Sequence, residues 1–114
     1  MNIHELRSNA NHPDRIIRRA VADDKECPLD ILEQLASDPA SKVRCSVALN
    51  PNTSVELLIK LSDDTYDSVR RNVADNEKVP GIVLRKLLED KSETVRFYAN
   101  KTMNQRLFDF YTRE

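Results

Sequence analysis

The stretch SKVRCSVALNPNTSVELLIKLSDD, residues 41–64, decides the reading of the whole chain. Val43, Val47 and Ala48 recur at helical spacing, so SKVRCSVAL reads as a short helix with one apolar face. Asn50-Pro51 stops it, because proline disfavours the helical conformation of the residue before it. A second helix follows in SVELLIKLS, with Ser54 as N-cap and Leu57, Leu58 and Leu61 as its stripe. Asp64 or a neighbour is positioned to cap the helix after that. Neither segment is long enough to be a stable helix alone in water, so each must bury its stripe against another element.

The same pattern repeats along the chain in steps of 26. Ile17, Val43, Val69 and Val95 form one column, and Arg18, Arg44, Arg70 and Arg96 the next. Val21, Val47, Val73 and Ala99 follow, then Ala22, Ala48 and Ala74. The second helix contributes Ile31, Leu57 and Val83; Leu32, Leu58 and Leu84; and Leu35, Leu61 and Leu87. Asp38, Asp64 and Asp90 close the unit. The register reaches back to Leu6 and Pro13, 26 before Leu32 and Pro39. The expected organisation is a half unit over 1–12, three full units over 13–94, and a capping helix over 95–114. Stacked pairs of short helices with a fixed period define an all-α solenoid.

These residues resemble a family. VRCSVALNPNTSVELLIKLSDD is similar to the leucine-rich repeat variant, whose units run VR-x-x-VA-x-NP-x-T-P-x-x-LL-x-x-L-x-x-D, and to short HEAT-type helical repeats. The resemblance covers roughly residues 13–99. It departs at Asp24-Lys25, which stand for Asn-Pro, and after Asn76, where proline is missing. It implies a right-handed superhelix whose second helices have partly 3₁₀ character. It carries over no cluster-binding activity, because no cysteine-rich domain precedes the repeats.

Composition narrows the function. The chain has 114 residues, with 18 Lys+Arg against 19 Asp+Glu, so no general excess of positive charge drives it onto a phosphate backbone. One glycine, Gly81, leaves no room for a phosphate-binding glycine loop or a nucleophile elbow. His4 and His12 lie before the main repeats and read as surface or capping residues. Cys27 and Cys45 lack metal-ligand spacing and read as reduced thiols of a cytoplasmic protein. No apolar run approaches a membrane span. No cofactor, metal or catalytic set is expected.

Two features remain as binding candidates. The arginine column, with Arg19 and Arg71 beside it, could present guanidinium forks to phosphates at regular spacing. The preferred reading is framework: the aspartate column six residues earlier meets it within or between units, and Asp64 is expected to couple with Arg70. The second feature is the aromatic cluster at the C-terminal end. There the stripe Val95, Ala99, Met103, Leu107, Phe110 continues as one capping helix, with Phe97, Phe108 and Tyr111 off the core face. Such residues suit a docking or pairing face. The expected function is a non-enzymatic scaffold that binds another protein, with Arg18, Arg44, Arg70, Arg71, Arg96, Phe97, Phe108 and Tyr111 as candidate contacts. The alternative is nucleic-acid binding through the arginines.

Overall fold

The described residues, 1–113 of a computed structural model, form eight α-helices and no strand. They run α1 (Ile3–Asn9), α2 (Arg15–Asp23), α3 (Leu29–Leu35), α4 (Ser41–Leu49), α5 (Val55–Leu61), α6 (Asp67–Asp75), α7 (Gly81–Leu87) and α8 (Glu93–Thr112). Glu114, the last residue assigned to the capping helix, lies outside the described residues. The all-helical expectation is met. Helix starts recur every 26 residues in both series: 3, 29, 55 and 81, and 15, 41, 67 and 93. The second helices carry no 3₁₀ segment; α3, α5 and α7 are α-helical throughout, each 7 residues long.

The even-numbered helices α2, α4, α6 and α8 pack side by side in order, and each odd-numbered helix seats against its neighbours in the chain. Small and β-branched columns permit the close approach. Val43, Val69 and Val95, with Ala22, Ala48 and Ala74, are fully buried along that row. Ile17 occupies the same column but is half-buried, because α2 is the first helix of the row and nothing covers its outer flank. The leucine columns of α3, α5 and α7 complete one continuous core. The molecule is flattened, with extents of 44 × 35 × 19 Å.

Helix ends are closed by recurring polar devices. Ser54 accepts the Leu57 N–H at the start of α5, as its sequence position predicts. The aspartates act one step earlier than expected. Asp38, Asp64 and Asp90 accept the N–H of Ala40, Tyr66 and Ser92, two residues on, and so fix the turn before each helix rather than the N-cap itself. Of the three N-caps that follow these turns, Ala40 and Tyr66 have no side-chain cap bond of their own.

A second ladder passes unnoticed in the sequence. The buried Asn50 donates from Nδ2 to the carbonyls of Ala22 (2.8 Å) and Asp24 (2.9 Å), and its Oδ1 accepts the Asn52 N–H. Asn76 repeats this one unit on, donating to Ala48 (2.7 Å) and accepting from Lys78. Thr102 takes the same place for Ala74. Each side chain satisfies the open C-terminal carbonyls of the preceding even-numbered helix, groups that would otherwise be buried without a donor. Asn50→Ala is therefore expected to cost about 2 kcal/mol, more than the loss of an ordinary exposed hydrogen bond. A urea midpoint unchanged by the substitution contradicts this role.

The apolar stripe of α8 ends sooner than the spacing predicts. Val95 and Ala99 are buried and Met103 half-buried, but Leu107 and Phe110 are 49% and 59% exposed. The core beneath α8 ends near Thr102 and Arg106, whose side chains bond the carbonyls of Ala74, Glu77 and Val79. Beyond them the helix has nothing to lie on. Phe108 and Tyr111 are 62% and 78% exposed, and Phe97 is 61% exposed, as their off-face positions predict. Phe108→Ser with Tyr111→Ser is accordingly expected to shift stability by less than about 0.5 kcal/mol. A melt lowered as far as by a core truncation indicates that both rings are structural.

Candidate functional site

Three of the four column arginines are spent inside the fold. Arg18 holds Asp38 through Nε (2.7 Å) and Nη2 (3.1 Å). Arg44 holds Asp64 at 2.7 and 3.2 Å, and Arg70 holds Asp90 at 2.8 and 3.0 Å. All six side chains are largely buried. The pairing corrects the expected partner: each arginine reaches the aspartate 20 residues later, not the one six residues earlier. The earlier residue contributes its backbone instead. Nη1 of Arg44 donates to the Asp38 carbonyl, and Nη1 of Arg70 to the Asp64 carbonyl. A helix brings its arginine toward the following unit, so the nearest carboxylate belongs to the next turn, while the preceding turn of its own chain offers carbonyls. One guanidinium thus ties two successive turns together.

Burial pushes the Asp38, Asp64 and Asp90 carboxyls up. The bidentate arginine, the backbone N–H and the arginine charge together outweigh it and hold all three below the usual carboxylate range. Their folded pKa values lie below the unfolded ones, so the unfolded chain binds more protons as pH falls. The stability these pairs give is present in full above the ordinary aspartate range near about 3.9 and is lost as pH falls through it and below. Thermal melts at decreasing pH are expected to show this decline. Removing one pair, as in Asp90→Asn, is expected to flatten the slope.

Arg96 differs from the other three. It keeps the Nη1 bond to the Asp90 carbonyl (2.7 Å), so its fork is oriented as theirs are. Among the described residues no carboxylate stands against its Nε and Nη2 edge. The described residues after Arg96 continue as one helix to Thr112, and none of them brings a carboxylate to this edge. Arg71 is half-buried, with its guanidinium 5.7 Å from the Tyr98 ring centre. Arg19 is exposed and lies 3.9 Å from Asp23 on its own helix. The structure therefore leaves Arg96 and Phe97 on the same helix as the exposed tail residues, whereas Arg18, Arg44 and Arg70 are enclosed between units.

The remaining sequence candidates have local roles. His12 Nδ1 accepts the Asp14 N–H beside the start of α2, and His4 is exposed. Cys27 is buried, and burial first, then the charges of Asp24 and Asp30, push its thiol up to about 11, so it stays protonated at neutral pH. Cys45 is half-buried with Sγ 3.5 Å from Ser68 Oγ. Among the described residues no helix is long and apolar enough to cross a membrane. Compared with protein-family models, curated proteins and solved structures, the chain finds no match.

Proposed function

We propose that this chain is a non-enzymatic helical-repeat scaffold, a right-handed solenoid similar to the leucine-rich repeat variant and HEAT-type repeats, that binds another protein in the cytoplasm. The observation that carries this reading is the internal use of Arg18, Arg44 and Arg70. Their forks face buried aspartates and not solvent, which takes away the regular cationic ladder that a phosphate backbone requires. What stays available is the C-terminal end, where Phe97, Leu107, Phe108, Phe110 and Tyr111 are all exposed on one helix. Aromatic and aliphatic side chains gathered in this way are enriched in the cores of protein interfaces and rare on isolated surfaces.

A pull-down from native lysate with and without nuclease tests the reading. Protein retained equally in both arms, and lost when Phe108 and Tyr111 are changed to serine, supports it. Retention abolished by nuclease favours the nucleic-acid alternative. An empty bead in both arms overturns protein binding.

A further inference from the structure

The unpaired fork of Arg96 and the bare tail of α8 lie on one line. Residues 96, 100, 103, 107 and 110 recur at i, i+4, i+7, i+11 and i+14, which places Arg96, Asn100, Met103, Leu107 and Phe110 along a single face of the helix. At 1.5 Å per residue, Leu107 and Phe110 stand roughly 16 and 21 Å from Arg96. Met103 leans on the core, but Leu107 and Phe110 are exposed, and Phe110 touches its helix neighbours Tyr111 and Arg113.

The molecule itself shows what fits such a fork. Three internal copies of the same arginine, anchored by bonds to the turn just before their helix, each hold one aspartate side-on through Nε and Nη2. Arg96 presents the same edge from the same anchor. We propose that this face of α8 docks an amphipathic helical segment of another protein, with an Asp or Glu against Arg96 and apolar side chains against Leu107 and Phe110. The inference rests on the protein-binding reading and names the partner's chemistry.

A second copy of the chain fits less well. The residue one period before Asp38 is His12. End-to-end stacking would bring a histidine, not a carboxylate, to Arg96. Phosphate would match the charge of the fork but not the apolar face that continues from it, whereas an acidic amphipathic helix matches both.

Selection of a phage-displayed library of 20-residue helical peptides on the full chain tests this. Selected peptides are expected to carry an acidic residue 11 to 14 positions from a pair of apolar ones, the spacings that separate Arg96 from Leu107 and Phe110. Their affinity should fall at least tenfold for Arg96→Gln and for Leu107→Ser with Phe110→Ser. Arg96→Lys, which keeps the charge but not the fork, should recover only part of it. The serine pair lies outside the core and controls for any loss of folding in Arg96→Gln, with thermal melts run on all variants. Peptides that bind every variant equally, or lack the acidic residue, overturn the docking site while leaving protein binding in place. No selected peptide, together with an empty lysate pull-down, overturns both. A 20-nucleotide single strand bound through Arg96, or a dimer by light scattering abolished by the serine pair, replaces the proposed occupant.

Discussion

Arg70→Ala is expected to destabilise the fold by about 3–5 kcal/mol, because it leaves the buried Asp90 carboxylate without its counter-charge. It also removes a donor from the Asp64 and Thr65 carbonyls. Against the ~5–15 kcal/mol of a typical domain, this is a large fraction of the whole. The penalty arises mostly from the stranded partner. Removing Asp90 as well should therefore add much less than Asp90→Ala costs alone, with a coupling energy of about 1–3 kcal/mol in a double-mutant cycle. Asp64 meets Arg70 mainly through its backbone carbonyl, which alanine retains, so the Asp64–Arg70 coupling should be clearly smaller. Urea denaturation of the singles and doubles measures both. Equal coupling for the two aspartates contradicts the geometry described.

Leu58→Ala should cost about 2–5 kcal/mol from lost burial and the cavity left behind. Leu58 is fully buried at the centre of α5, within the continuous core that runs from Leu6 to Ala99. A 7-residue helix cannot persist without its packing, so loss of this side chain should loosen both flanking helices. The unfolding midpoint of the entire molecule should fall in a single transition. Ile82→Ala provides the control: Ile82 is 69% exposed on the neighbouring odd-numbered helix and should shift the midpoint by less than about 0.5 kcal/mol. Similar losses for Leu58 and Ile82 would show that the apolar stripe has been assigned to the wrong face.

The candidate site was legible in part. The off-face positions of Phe97, Phe108 and Tyr111 predicted their exposure, since helical periodicity alone sets which side chains leave the core stripe. The same periodicity overextended the core to Leu107 and Phe110, because it reports which residues share a face and not whether anything covers that face. Asn50 and Asn76 recur 26 apart at helix ends, but the proline after Asn50 reads as a stop, and nothing local shows that either side chain reaches the carbonyls of the preceding helix.

What the sequence determined by itself is the local grammar. Apolar spacing, Ser54 as a cap and the proline after Asn50 define where helices α4 and α5 begin and end, because these depend on contacts within a few residues. The repeat then carries the same boundaries to the other units. Only the tertiary structure decided who pairs with whom. Arg70 is six residues from Asp64 and twenty from Asp90, and sequence distance favours the nearer. In the folded chain the arginine extends from one helix toward the next turn, where Asp90 is brought within 2.8 Å by the packing of α6, α7 and α8. The identity of an ion pair is set by where helices lie against one another, and so Arg96, on the last described helix, meets no carboxylate among the described residues while Arg18, Arg44 and Arg70 each do.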